Sequence, residues 1–260
     1  MRPPALTRRA ALRALGAGLA LGPRALRAAA PVRVAAAADL RFALDALAPP
    51  FAAAGHAFAP TFAASGAFAA QIAQGAPFDL FLSADVRYPE ALAAAGHAWP
   101  ETLRVYAIGH LVLWVPSASP LPLDAGLAVL RDARVQRVAI ANPRHAPYGQ
   151  AAEAALRSAG LWGDITPQLV LGDNTAQAAQ FVASGAADAG LIPLSLARAP
   201  TMAGAGRHIP IGGHPPLRQG GIVLRAAASP AAARAVLDAL CAPPAQAVLA
   251  GFGFGPPPAR

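Results

Sequence analysis

Four short stretches bring small, hydroxyl-bearing or polar residues to the point where an extended apolar run meets a helical pattern: Ala38-Asp39, Ser65-Gly66, Tyr148-Gly149 and Asn174-Thr175. A helix start leaves backbone N–H groups without intrahelical acceptors and carries the positive end of the helix dipole. Each such start favours an anion by ~0.3–1 kcal/mol on an exposed surface, and by more when buried. Several of them facing one point could hold a tetrahedral oxyanion without any Arg or Lys. Helix capping alone accounts for Ser65, Asn174 and Thr175 equally well, so the residues by themselves leave both readings open.

Other chemistries find less support. The first strand-to-helix turn reads AAAADL, without G-x-G-x-x-G, and no G-x-x-x-x-G-K-[ST] occurs, which disfavours nucleotide enzymes. None of the histidines His56, His97, His110, His145, His208 and His214 belongs to an H-E-x-x-H pair, and no metal or cofactor site is expected from them. His145 lies in the loop NPRHAPYG, near one of the four turns. Ser83 would need a base within hydrogen-bond distance to act as a nucleophile; a turn role is the simpler reading. Cys241, the single cysteine, falls in a helical pattern and reads as a buried inert thiol. An exported enzyme using Ser83 or Cys241 is the rival to a binding protein. Tyr88, Tyr106 and Tyr148 are far apart in sequence, which argues against a tyrosine-rich ferric site.

The elements that would position the turns alternate between strand and helix. Val32–Leu47 opens the series: an extended apolar run ends at Asp39, and Leu40, Ala43, Leu44 and Leu47 then recur at helical spacing. Asp39 stands where an N-cap is expected. Strands follow over 57–63 and 78–83, with helices after Ser65 and over 89–95. Residues 105–115 form the longest β-like run, and the Pro-rich stretch 116–124 reads as a linker. The alternation restarts with strands over 137–141, 168–171 and 189–192, and helices over 150–159 and 174–184. Residues 208–213 and 219–224 read as β, and 230–241 and 243–250 as helices. This order predicts an α/β protein of two lobes, each a mainly parallel sheet flanked by helices. The expected boundaries are 31–109 with 207–260 for the first lobe and 110–206 for the second.

The chain has 260 residues, is 55% hydrophobic and carries a formal charge of +8. The excess charge sits at the start: residues 1–30 hold Arg2, Arg8, Arg9, Arg13, Arg24 and Arg27 and no acid. Beyond them acidic and basic residues nearly balance, with no basic stripe, so nucleic acid is not an expected partner. The paired Arg8-Arg9 before the apolar stretch 14–21 reads as an export signal over 1–30, resembling the twin-arginine type, with an ordinary secretory signal as the alternative. No apolar run approaches the ~18 residues of a membrane-spanning helix.

Four longer segments carry a resemblance: QIAQGAPFDLFLSAD over 71–85, YAIGHLVLW over 106–114, IANPRHAPYG over 140–149 and QFVASG over 180–185. Across about residues 31–256 the sequence resembles the periplasmic molybdate-binding proteins of bacterial ABC importers. The resemblance implies a type II periplasmic binding protein: two lobes, a ligand cleft at the hinge, no catalysis and no cofactor. It implies a monomer that captures molybdate or tungstate and delivers it to a membrane permease. On this resemblance Ser65 matches a serine that donates its hydroxyl and N–H. Tyr148 matches a tyrosine used by one branch, and Thr175 a backbone N–H donor. Asp39 falls where Ser or Asn is usual, and Pro193 where another branch has a second tyrosine. All four site residues would reach the metal only through the oxyanion's oxygens. A carboxylate facing a dianion is repulsive, so Asp39 is expected to turn its side chain away as a helix cap and offer its N–H. A protonated Asp39, or a different oxyanion or small organic anion as ligand, are the alternatives.

Overall fold

The computed structural model describes residues 30–258. The export signal expected over 1–30 lies, except for Ala30, outside the described residues.

The first lobe starts with β1 (Val32–Ala37), which passes through one turn of 3-10 helix at Ala38–Leu40 into α1 (Arg41–Ala53). The spacing of Ala43, Leu44, Leu47 and Phe51 puts all four on the buried side of α1. That side continues through Pro49 and Pro50 to Phe51, whose ring meets Phe58 edge-on at 5.6 Å. β2 (Phe58–Ala63), α2 (Ser65–Ala73), β3 (Leu80–Ser83), α3 (Arg87–Ala94) and β4 (Arg104–Gly109) follow.

The second lobe contains β5 (Leu111–Pro116), β6 (Val138–Ala141), α4 (Pro147–Ser158), α5 (Trp162–Ile165) and β7 (Leu169–Gly172). It continues with α6 (Thr175–Ala183), β8 (Ala189–Pro193), α7 (Leu194–Ala197) and β9 (Gly206–Pro210). The chain then returns to the first lobe with β10 (Leu217–Val223), α8 (Pro230–Cys241) and α9 (Pro243–Gly251).

The two sheets are built alike. One has the order β2-β1-β3-β10-β4 and the other β7-β6-β8-β5-β9. In each, a single strand runs against the other four: β10 is antiparallel to β3 and β4, and β5 to β8 and β9. In both lobes the reversed strand is the one on which the chain has just crossed over.

Three expectations are corrected. The run 105–115 is two strands in two sheets, broken at His110, because the chain crosses between lobes there. Gly109 permits the crossing: a Cβ on it would stand 2.2 Å from Tyr148 Oη and 2.7 Å from Gln219 Nε2. The Pro-rich stretch is consequently not a linker but a loop within the second lobe, where Ser119 and Leu121 carbonyls accept from Arg207. Finally, residues 206–210 belong to the second lobe, since β9 pairs with β5 from Val112↔Pro210 to Pro116↔Gly206. Short polar–apolar alternation does not say which sheet a strand joins; here Gly206 fits because Trp114 covers it, with a Cβ there only 2.0 Å from the indole. The return crossing therefore lies between Pro210 and Leu217.

Helix α4 begins three residues before the expected start. Pro147 occupies its first turn, where a missing N–H costs nothing. This brings Tyr148 and Gly149 into that turn, against the end of β6. A Cβ on Gly149 would lie 2.1 Å from the Ala141 carbonyl oxygen, which is backbone and cannot swing aside. We expect Gly149→Ala to lower stability by ~1–3 kcal/mol, as overpacking does, visible as a lower denaturant midpoint with unchanged slope.

Candidate functional site

The sequence-predicted residues meet at one place. Asp39 and Ser65 from the first lobe and Tyr148 and Thr175 from the second line a single small cavity, together with Ala37, Ala38, Ala63, Ala64, Ala84, Ala146 and Pro147. All four predicted residues are buried, and the lining contains no Arg, Lys or His. Pro193 ends β8, paired with Leu111, and does not line the cavity.

Each wall is a helix start at the carboxyl end of a strand. Ser65 opens α2, and its Oγ accepts from Ala84 N–H at 3.0 Å, which leaves its own proton to point elsewhere. Gly66 N–H donates to the carbonyl of His145 at 2.8 Å, tying α2 to the loop before α4. The contribution of His145 is thus through its backbone. Thr175 opens α6 behind Asn174, whose Oδ1 accepts from Ala176 and Gln177 N–H groups at 2.9 and 3.1 Å. Asn174 is therefore the cap. Thr175 keeps an N–H with no helical acceptor and a buried Oγ1 with no hydrogen-bond partner.

Asp39 departs from expectation. It does not cap its helix: neither the 3-10 turn nor α1 has a side-chain cap, and the N-cap position of the turn is Ala37. Asp39 already lies inside the turn, so its carboxylate cannot fold over the N–H groups ahead of it in the manner of a cap. Instead, Oδ2 accepts from Gln219 Nε2 at 2.6 Å, and Oδ1 is buried without a partner. Its main-chain carbonyl accepts from Ser195 Oγ of the other lobe at 2.8 Å.

Gln219 is the residue that sequence reasoning missed. Fully buried on β10, it donates also to Tyr148 Oη at 3.2 Å and accepts from Tyr106 Oη at 3.0 Å. A glutamine at a core position of a strand was the available signal, since a buried amide needs partners on both its ends. Burial pushes the Asp39 carboxyl up to about 6, with the Gln219 amide, the Tyr148 hydroxyl and its own N–H drawing it partly back. Burial, reinforced by the Asp39 charge, raises both Tyr148 and Tyr106 well above the ordinary phenol range.

The enzyme candidates fall away from this site. Ser83 Oγ donates to Asp85 carbonyl at 2.7 Å and accepts from Asp85 N–H at 3.1 Å, which makes it a turn residue. Cys241 is half-buried on α8, packed against the first lobe's core. Among the described residues, no cluster of three or more His, Cys, Asp or Glu could hold a metal ion, and no helix is long and apolar enough to cross a membrane.

Comparison with known proteins places this geometry. The profile of the bacterial extracellular solute-binding proteins matches residues 32–255. The molybdate-binding protein ModA of Azotobacter vinelandii is 38% identical over 245 residues, covering 93% of this chain and 95% of the relative. That of Rhodobacter capsulatus is 38% identical over 200 residues, covering 77% and 78%. The solved periplasmic molybdate-binding protein of Azotobacter vinelandii superposes with a TM-score of 0.81 at 32% identity, covering 87% of this chain and all of that one. The chain belongs to the bacterial extracellular solute-binding protein family, on the branch that holds these molybdate-binding relatives, a family of carriers and not of enzymes.

Proposed function

We propose that this protein captures molybdate, and tungstate with it, outside the cytoplasmic membrane and hands it as a monomer to an ABC permease. The observation that carries the reading is the convergence of Asp39, Ser65, Tyr148 and Thr175 from both lobes on one buried cavity without a cationic side chain. Neutral donors suit a tetrahedral oxyanion that is to be bound firmly and then released. The named relatives supply the identity of that oxyanion.

The cavity is small, with room for about one water. A tetrahedral oxyanion therefore enters as the lobes part at residues 109–111 and 211–216 and is enclosed as they close. The hydrogen bonds between lobes would re-form around it.

A second reading keeps the class and changes the ligand to another oxyanion or a small organic anion. The carboxylate of Asp39 favours it, because an acceptor in the site suits a ligand that brings a proton. Titration calorimetry with molybdate, tungstate and sulfate separates the two. Micromolar or tighter binding of molybdate and tungstate, with sulfate much weaker, is expected; binding of sulfate alone overturns the first reading.

Two substitutions test the walls. Ser65→Ala removes a buried donor and should weaken molybdate binding by ~1–3 kcal/mol; unchanged affinity would remove Ser65 from the site. Thr175→Val keeps the N–H and the shape but deletes the unpartnered hydroxyl. It should cost ~1 kcal/mol of affinity, and no loss would limit Thr175 to its main-chain donor.

A further inference from the structure

Asp39 stands out among the polar groups of the cavity. Ser65 Oγ has its proton available, and Thr175 carries an unpartnered hydroxyl and an N–H. These are donors, as an oxyanion requires. Asp39 Oδ1 is an acceptor when ionised, is buried, lines the same cavity and has no partner.

No group packed around Asp39 neutralises it. The titratable side chains facing it are Tyr106 from β4 and Tyr148 from α4, both held neutral by burial, with the Tyr148 hydroxyl a neutral hydrogen-bond partner of the carboxyl. Gln219 from β10 is neutral and already donates to the other carboxylate oxygen. The charged or basic groups on neighbouring elements do not line the cavity. Arg41 stacks over the Phe62 ring at 5.5 Å, Asp85 is paired with Arg87, and the His110 ring packs towards Gly255.

An ionised Asp39 and a bound dianion would thus share one closed space with no countercharge. A single proton removes the conflict and converts Oδ1 into one more donor. We propose that Asp39 makes ligand capture proton-coupled: one proton from solvent is taken up with each oxyanion and held between Asp39 Oδ1 and a ligand oxygen. The balance is one carboxylate, one dianion and one proton forming a complex of net charge −2. On release the proton returns to solvent.

The inference rests on the oxyanion reading above, and its sign follows from the two states of the site. In the closed structure burial pushes the Asp39 carboxyl up to about 6. A bound dianion stabilises the proton further, so the pKa rises on binding. Well below the pKa of the free protein Asp39 is already protonated and affinity is flat. Above it, between the free and bound pKa values, each unit of pH rise weakens binding about tenfold.

Calorimetry of molybdate binding to the purified protein at pH about 8, in buffers of different ionisation enthalpy, measures the protons taken up. Close to one proton per molybdate is expected for the unaltered protein, with an approximately tenfold rise in Kd from pH about 7 to about 8. Asp39→Asn, neutral and already a donor, is expected to bind with no proton uptake and a flat pH profile. A proton count near zero in the unaltered protein overturns the proposal, whatever the variant does. So does an Asp39→Asn slope equal to that of the unaltered protein. If the unaltered protein binds neither molybdate nor tungstate at any pH, the oxyanion reading itself fails, and proton coupling with it.

Discussion

The structure depends on the hydrogen bond from Gln219 Nε2 to the buried carboxylate of Asp39. A unit charge about 4 Å from another interacts with ~4 kcal/mol at an effective dielectric of ~20. A dianion would double that, and here the interaction is repulsive. Burial of a carboxylate without a cation is costly in its own right. The molecule meets part of this cost by supplying an amide donor in the free state. Gln219 in turn is fixed by Tyr106 Oη on its other end, and Tyr106 Oη lies 3.2 Å from the Ser83 carbonyl. The amide cannot flip without leaving Asp39 Oδ2 facing an acceptor. Polarity at the site is therefore set from inside the first lobe's core.

The same residues sit where the chain changes lobes. Gly109, at the first crossing, has no side chain because Tyr148 Oη and Gln219 Nε2 occupy that space. The second crossing runs alongside, with Ile211 N–H donating to the Leu111 carbonyl at 3.0 Å. Hinge and candidate site are thus adjoining parts of one region. Helix starts at strand ends place donors at the rim of each sheet, and residues from both rims line one cavity; each sheet has the same strand order with one reversed strand. The resemblance to a two-lobed carrier follows from this repeat of architecture, which no sequence repeat announces.

Much of the fold was legible because its signals are local. Helical spacing over Leu40–Leu47, glycine stops at Gly96, Gly160 and Gly185, and apolar strands such as Val138–Ala141 mark elements wherever they lie in space. Sheet membership was not legible. The β-like run 105–115 shows no break of its own, although the lobe boundary was expected at 109/110, and β9 gives no sign of preferring β5 over the first sheet, since that depends on contacts with distant residues. The four turn residues could be chosen from local pattern and resemblance together, and they do share one cavity. The orientation of Asp39 could not, because a single turn of 3-10 helix before α1 moves it from cap to interior. Gln219, its partner, lies 180 residues away.

What joins the lobes explains why such a site can open. Across the cleft, Ser195 Oγ donates to Asp39 carbonyl, Gly66 N–H to His145 carbonyl, and Gln219 Nε2 to Tyr148 Oη. At the rim, Arg87 reaches Gln150 Oε1 at 3.1 Å, an exposed contact of little weight. Each buried hydrogen bond contributes ~0.5–1.5 kcal/mol net, so these bonds together add a few kcal/mol to closure, beside apolar contacts such as Phe42 against the second lobe's Ala178 and Leu196. A ligand that touches Ser65 and Thr175 at once adds bonds to both lobes only when they are closed, and shifts the balance by that differential affinity alone. An ionised Asp39 works against the shift by repelling the ligand, and a protonated one works for it. Under the proposed proton coupling, the charge state of one buried carboxyl would decide how much of an oxyanion's binding energy reaches the closing of the lobes.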